Sequence, residues 1–193
     1  MKKSSEALIA VLAIVVVGII IAFAVVKRPD GGTQGDADTQ VQQNSPEIDA
    51  VYEAVKAAYG ENYLPNMRLT EEEAEARYGI TSDLYSSMIA EVPMISAQVD
   101  ELVLVKAKDE AARDAIEEAL TAFQNVLRED TFQYPANLLK IQASQVYVKG
   151  DYVCFIMLGV LDNETAQQAD EGKVIEAYKA ENEKAVAAID ALF

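Results

Sequence analysis

The chain has 193 residues, of which 16 are basic and 32 are acidic, and its formal net charge is −16. This charge repels phosphate groups and argues against binding to nucleic acid. The chain has no histidine and a single cysteine, so the composition excludes Ser-His-Asp and Cys-His catalysis, histidine-ligated zinc sites and intrachain disulfides.

Residues 7–26 are predicted to cross a membrane. They contain no charged side chain, and twenty residues of helix span about 30 Å, the thickness of a bilayer's hydrocarbon core. Ala22-Phe23-Ala24 fits a signal-peptidase site, but the apolar run continues beyond it, which favours an uncleaved anchor over a cleaved signal peptide. We therefore expect residues 1–28 to form an N-terminal membrane anchor.

The orientation of this anchor is inferred from the segment and the domain on its C-terminal side. Two basic residues lie on each side of the apolar stretch, so the positive-inside rule is nearly balanced. Residues 29–45 are rich in Gly, Asp, Thr and Gln, the composition of a flexible tether. We expect a single-pass protein of the cell membrane whose C-terminal domain, residues 46–193, lies outside the cytoplasm.

The first third of that domain is predicted to be helical. Ser45-Pro46 is interpreted as an N-cap and first turn, followed by apolar residues at helical spacing as far as Tyr59. Gly60 is predicted to end this helix. Thr70 and Glu73 have the spacing of a capping box, which predicts the start of a second helix.

The remainder predicts strands and helices in the order ββαββα. Two strand-like segments flank "PMISAQ", and Asp109 is predicted to cap a long helix that ends near Arg128. A short helical turn is expected after Pro135. The run "SQVYVKGDYVCFIMLGV" predicts a β-hairpin, with its turn at Lys149-Gly150-Asp151. A final helix is expected from about Glu164, packed on the domain's own sheet, with pairing to a partner helix as the alternative.

This order predicts an α+β fold. We expect one domain with an antiparallel sheet of about four strands, built from two ββα units, and helices packed on one face of it. Cys154 lies inside the apolar second strand of the hairpin, which indicates a buried and unreactive thiol.

Two loops are candidate recognition elements. The segment "YGENYLPNMRL" combines aromatic, amide and basic side chains, which suits a recognition surface; the candidate residues are Tyr59, Asn62, Tyr63, Asn66 and Arg68. The alternative is a structural loop whose Tyr63, Leu64 and Met67 side chains lie in the core. In "EVPMISAQVDE", Pro93 indicates a bulge or an edge strand, with a peptide-binding groove as the alternative.

The runs "AAYGENYLPNMRLTEEEAEARYGI", "PMISAQVDELVLVKAKDEAARDAIEEAL" and "VYVKGDYVCFIMLG" carry a family resemblance. Over roughly residues 47–160 the chain resembles an uncharacterised family of small membrane-anchored proteins, often lipoproteins, of Clostridia-like Gram-positive bacteria, catalogued as a domain of unknown function. The resemblance implies a tethered extracytoplasmic module and supplies no catalytic residues. Because this chain lacks the lipidated cysteine of the lipoprotein members, its apolar helix would provide the anchor.

Function is therefore expected from interaction rather than from a known reaction. The sequence contains no dinucleotide-binding motif, phosphate-binding loop, zinc-protease motif or nucleophile elbow, so it indicates no cofactor, no metal and no small-molecule ligand. We expect a binding or scaffolding module of the cell envelope with a protein partner. The alternative is a cell-envelope hydrolase that uses two carboxylates.

Overall fold

The computed structural model describes residues 45–95, 97–130, 132–167 and 170–193. The predicted anchor (residues 1–28) and all but the last residue of the predicted tether lie outside these ranges. Within the described residues, every helix is too short or too polar to cross a membrane.

The described residues contain helices and strands in the order α-β-α-β-β-α-α-β-β-α-α. The helices are α1 Ile48–Tyr59, α2 Glu71–Tyr78, α3 Glu110–Glu129, α4 Pro135–Ala143, α5 Asn163–Ala166 and α6 Glu171–Asp190. The strands are β1 Met67–Arg68, β2 Tyr85–Val92, β3 Glu101–Ala107, β4 Gln145–Lys149 and β5 Tyr152–Met157.

The strands form one antiparallel sheet in the order β1-β2-β3-β5-β4. The two predicted strand pairs are confirmed as β2–β3 and as the β4–β5 hairpin, whose turn contains Gly150 at a φ of 59°. The sheet has five strands and not four, because Met67 and Arg68 pair with the end of β2. A strand of two residues is too short to show an alternation of apolar and polar side chains, so the sequence pattern does not reveal it.

Helices cover both faces of the sheet, and the prediction of helices on one face is wrong. Helices α2, α3 and α4 pack on one face, where the core includes Tyr78, Ile116 and Phe155. Helices α1 and α6 pack on the other face, with Val55 and Ile189 in its core. The physical reason lies in β3 and β5, which are apolar and buried along nearly their whole length, so both of their faces need a cover.

Several local predictions are confirmed by the hydrogen bonds at helix ends. The Thr70 hydroxyl accepts a bond from the Glu73 backbone N–H, while the Glu73 carboxylate accepts from the Thr70 backbone N–H, which completes the capping box of α2. Asp109 caps α3 by accepting from the Ala112 N–H at 2.8 Å. Helix α4 begins at Pro135, as expected, and α6 packs against α1 and α4 of its own domain.

The predicted cap of α1 at Ser45-Pro46 is wrong. Helix α1 has Glu47 at its N-cap position, without a capping bond from a side chain. Pro46 instead ties this end of the chain to the sheet, because its carbonyl accepts bonds from the Tyr152 hydroxyl at 2.7 Å and from Lys106 Nζ at 3.3 Å.

Candidate functional site

Three buried carboxylates lie at the end of the sheet where β2 ends and β3 begins. Glu91 is the penultimate residue of β2, Asp100 precedes β3, and Glu101 is its first residue. All three are almost completely buried. Because a buried charge is stable only when it is paired or hydrogen-bonded, the partners of these groups define the polar structure of this end.

Glu101 is held by two consecutive residues of α2. Arg77 donates from Nε to Oε1 and from Nη2 to Oε2, both at 2.8 Å, and the Tyr78 hydroxyl donates to Oε1. The bond with Glu101 raises the pKa of Arg77 above its usual value, and burial raises the pKa of the Tyr78 hydroxyl. The Arg77 side chain stays 41 % exposed, and its guanidinium lies 5.1 Å from the centroid of the Phe123 ring.

Asp100 forms a buried ion pair with Lys140 of α4, with 2.6 Å between Oδ1 and Nζ. Lys140 Nζ also donates to the Gly159 carbonyl at 2.7 Å and lies 5.6 Å from the Tyr178 ring centroid. Burial raises the pKa of the Asp100 carboxyl, and Lys140 acts in the opposite direction. Burial likewise lowers the pKa of Lys140, against the effect of Asp100. The pair joins α4 to the start of β3.

A cavity of about 260 Å³ opens at this end of the sheet. It is bordered by the two ion-paired residues Arg77 and Glu101, by Asp100, and by side chains of the β2–β3 and α3–α4 loops and of the core. The remaining lining residues are Val92, Pro93, Gln98, Val99, Leu127, Gln133, Ile141 and Met157. We call this cavity the cleft. The strand β2 ends at Val92, so Pro93 marks the end of an inner strand; the interpretation of this segment as an edge strand or a bulge is wrong.

The two loops beside the cleft carry exposed apolar side chains. In the β2–β3 loop, Met94 is 72 % exposed and Ile95 is 60 % exposed; in the α3–α4 loop, Phe132 is 96 % exposed and Tyr134 is 62 % exposed. The loops are joined by a hydrogen bond of 3.0 Å from Asn137 Nδ2, in the first turn of α4, to the Ala97 carbonyl. We call Met94, Ile95, Phe132 and Tyr134 the apolar rim.

Two of the five predicted recognition residues meet at Glu91. The Tyr63 hydroxyl donates to Glu91 Oε2 at 2.9 Å, and Arg68 Nε lies 3.8 Å from Oε1. Tyr52 of α1 is the third member of the cluster, because its hydroxyl donates to Oε1 at 2.8 Å. The Arg68 guanidinium lies 4.8 Å from the centroid of the Tyr52 ring.

The other three predicted residues lie apart from that cluster. Tyr59 is buried, and its hydroxyl donates to the Glu181 carbonyl of α6 at 2.7 Å. Asn62 is exposed in a 3-10 turn that follows α1. The Asn66 side-chain oxygen accepts a hydrogen bond of 2.8 Å from the Met94 backbone N–H and so helps to hold the β2–β3 loop in place. Of the three side chains that the alternative interpretation places in the core, Tyr63 packs against a core cluster, Leu64 is half-buried and Met67 is exposed.

Part of the cleft lies in a segment that the sequence already marks. Six of its residues belong to "EVPMISAQVDE", for which a peptide-binding groove is the alternative interpretation. Asp100 and Glu101 in this segment also stand directly before the buried run Leu102–Val105, a contrast that marks them in the sequence. Arg77 and Lys140 have no such signal, because basic residues in the last turns of helices are usually solvated.

The arrangement offers binding more readily than covalent chemistry. Cys154 is fully buried, and burial raises the pKa of its thiol to about 12, so it is no nucleophile at neutral pH. Among the described residues, no group of three or more carboxylates and thiols is placed to hold a metal ion. The apolar rim and the cleft are the features that a partner could use.

A family model described as Domain of unknown function (DUF4358) matches residues 58–158. The match runs from the end of α1 to the residue after β5, so it includes the whole sheet, the apolar rim and both ion pairs of the cleft. The chain matches no curated protein and no solved structure.

Proposed function

We propose that this chain, which belongs to the family described as Domain of unknown function (DUF4358), is a binding module of the cell envelope. In this proposal residues 7–26 anchor the chain in the membrane, residues 29–45 act as a tether, and the folded part outside the cytoplasm binds another protein. An apolar segment of that protein occupies the cleft and contacts the apolar rim.

The observation that carries the proposal is the apolar rim itself. Four large apolar side chains on two adjoining loops are 60 % to 96 % exposed. Fully burying a side chain of this size stabilises a complex by roughly 1.5–3 kcal/mol, so covering them in a complex is favourable. Clusters of exposed apolar groups beside a concave site are typical of interaction surfaces, in which a few aromatic anchors dominate the affinity.

The buried ion pairs fix the charged side chains at the cleft. Glu101 fixes Arg77 with two hydrogen bonds, and Lys140 fixes Asp100, so the floor of the cleft is polar but internally neutralised. A partner that enters the cleft meets no unpaired charge there, which keeps the cost of desolvation low. Specificity then depends on the shape of the cleft and on the rim.

Site-specific photo-crosslinking in intact cells tests the proposal. A photoreactive amino acid at Phe132 is compared with one at Lys179, an exposed residue of α6. We expect a defined cross-linked protein from position 132 and none from position 179. Equal products from both positions, or products that contain only this chain, would overturn the proposed binding site.

Protease added outside intact cells tests the proposed location. We expect cleavage within residues 29–45 and release of a fragment that contains residues 46–193. If the folded part is degraded only after the membrane has been permeabilised, the extracytoplasmic location is wrong. The binding site can still be tested in that case, because the cross-linking result does not depend on which side of the membrane the domain occupies.

A carboxylate-based hydrolase is the second candidate, because Asp100 and Glu101 both border the cleft. The raised pKa of Asp100 suits a proton donor. Both carboxylates are paired with basic side chains, however, so a reaction would first have to release one of them. Release of soluble fragments from purified cell wall by the full chain, abolished by both D100N and E101Q, would favour hydrolysis over binding alone.

A further inference from the structure

The strand β4 forms one edge of the sheet, and its outer side is open to solvent. Its inner neighbour β5 is buried at all six positions, whereas each of the five residues of β4 is partly exposed. Side chains of α3 and α6 cover the two faces of β4. The remaining exposure of this strand therefore lies along its outer side, which we call the open edge.

The hydrogen bonds of the β4–β5 hairpin show which backbone groups lie on the open edge. The Ala107 N–H donates to the Asp151 carbonyl, so the odd-numbered residues at β5 bond to β3. The even-numbered residues of β5 bond to β4, where their partners are Gln145, Tyr147 and Lys149. The N–H and C=O groups of Val146 and Val148 consequently point away from the sheet, and no backbone hydrogen bond between described residues reaches them. A further strand could bond to all of these groups.

We propose that a second copy of this chain pairs with the open edge, through an antiparallel contact of β4 with β4 about a two-fold axis at Tyr147. In this register Val146 lies opposite Val148 of the second copy, and the two residues exchange their N–H···O bonds. The two five-stranded sheets then join into one antiparallel sheet of ten strands. Because the contact uses the same surface of both chains, it closes at two copies.

The sequence of β4 favours a second copy over an unrelated strand. Its central run Val146-Tyr147-Val148 reads the same in both directions, so the two-fold register brings like side chains together. Valine meets valine on the face that α3 covers, and tyrosine meets tyrosine on the face that α6 covers. Such β-branched and aromatic pairs stabilise neighbouring strands, and the tyrosines occupy the non-hydrogen-bonded position, where opposite side chains are closest.

The charges at the ends of β4 are compatible with this register. Lys149 lies opposite Gln145 of the second copy, so no two like charges face each other. The Lys149 ammonium is paired at 2.7 Å with Asp190 of its own chain. The net charge of −16 repels two copies at long range, so we expect the pairing to strengthen as salt screens that charge. The inference goes beyond the proposed function, because it assigns a separate surface and a different partner.

Cysteine cross-linking of the full chain in zwitterionic detergent tests the register. Y147C places two thiols opposite each other at a non-hydrogen-bonded pair, where the Cα atoms are about 4.5 Å apart and within the span of a disulfide. Diamide takes two electrons and two protons from the thiol pair, and the sulfur atoms join. We expect a covalent dimer that forms faster as the concentration of the chain or of salt is raised.

Cysteines at the two flanking positions supply the controls. In V146C or V148C alone, the two cysteines are diagonal neighbours about 7–8 Å apart, which is too far for a disulfide. A mixture of V146C and V148C places the two thiols directly opposite each other. We expect each variant alone to react at least fivefold more slowly than the mixture. The mixture also tests the proposal if Y147C, which loses the hydrogen bond from the tyrosine hydroxyl to Asp190, does not fold.

Substitutions at Gln145 separate pairing in this register from non-specific association. Combined with Y147C, Q145K places a lysine opposite Lys149 of the second copy and should slow the cross-linking about threefold. Q145E places a carboxylate there and should not slow it. Net charge alone predicts the reverse order, because Q145K makes the chain less negative and Q145E makes it more negative.

Three results would overturn the proposal. Equal rates for Y147C, V146C and V148C indicate collisions without a register. A full chain that stays monomeric and forms no cross-link in Y147C or in the mixture leaves the open edge to a strand of another protein. Faster cross-linking with Q145K than with Q145E assigns the association to net charge.

Discussion

The substitution Lys140→Met tests how strongly the floor of the cleft depends on its buried charges. Lys140 Nζ lies 2.6 Å from Asp100 Oδ1, and both side chains are less than a tenth exposed. At this distance and an effective dielectric constant of about 20, the attraction amounts to about 6 kcal/mol before desolvation is subtracted. Methionine has a similar length and no charge, so it leaves the Asp100 carboxylate buried without its cation.

We expect K140M to lower the free energy of unfolding by about 3–5 kcal/mol at pH 7, the usual result of removing one partner of a buried pair. Domains of this size are stable by about 5–15 kcal/mol, so the variant should still fold. The assay is urea unfolding of residues 45–193, which contain both cores, followed by circular dichroism because the chain has no tryptophan.

The pH dependence of this loss has a defined sign. Burial raises the pKa of Asp100, and Lys140 is the main influence that lowers it, so K140M should raise that pKa further. A carboxyl group with a higher pKa in the folded state than in the unfolded state binds more protons when folded. The stability of K140M relative to the wild type should therefore recover as the pH falls from 7 toward about 4, where the unfolded carboxyl also becomes protonated.

The double variant D100N/K140M is the control, since it removes both charges and should recover most of the lost stability. If K140M unfolds at the same urea concentration as the wild type at pH 7, the Asp100 carboxylate is not desolvated and the reasoning is refuted. If K140M is destabilised equally at every pH, the loss comes from packing and not from charge.

Two further predictions concern other parts of the domain. Cys154 should not react with a thiol reagent at pH 8 until the domain unfolds, because burial protects the sulfur and raises its pKa to about 12; rapid labelling of the folded domain would contradict this. Thr70→Ala should lower the free energy of unfolding by about 1 kcal/mol because it removes the capping bond of α2. Glu72→Ala is its control, because Glu72 is exposed in the same first turn and takes no part in the capping box, and equal losses in both variants would argue against the cap.

The local parts of the fold can be predicted from the sequence, because each rests on a short pattern with a physical cause. The capping box at Thr70 and the hairpin turn at Gly150 need only a few neighbouring residues. The packing of helices on both faces of the sheet is harder to predict. The run Leu102–Val105 does lack the alternation of apolar and polar residues that a strand with one solvent-exposed face shows. An apolar stripe on a helix shows that the helix packs against other apolar residues, but it does not show on which face of the sheet the helix lies.

The candidate site can be predicted only in part, because it is built from loops that meet through the fold. A local concentration of polar and aromatic residues points to Tyr63 and Arg68, and they do share Glu91. Nothing local links Arg77 to Glu101 or Asp100 to Lys140, which are 24 and 40 positions apart in the sequence. The apolar rim likewise depends on two loops whose proximity results from the packing of α3 and α4 against the sheet.

The position of the proposed binding site follows from the burial of the sheet on both faces. Helices cover β3 and β5, so no partner can reach the centre of the sheet without displacing a helix. At the β2–β3 end, Glu91 and Glu101 replace apolar side chains on the two faces. Glu91 accepts hydrogen bonds from two tyrosines and lies near Arg68. Glu101 accepts hydrogen bonds from one tyrosine, Tyr78, and from Arg77. These bonds satisfy the polar groups at the end of the core. The β2–β3 and α3–α4 loops beyond them carry the exposed side chains of the apolar rim. This is the physical reason why the proposed binding site lies at this end of the sheet, where the cleft opens.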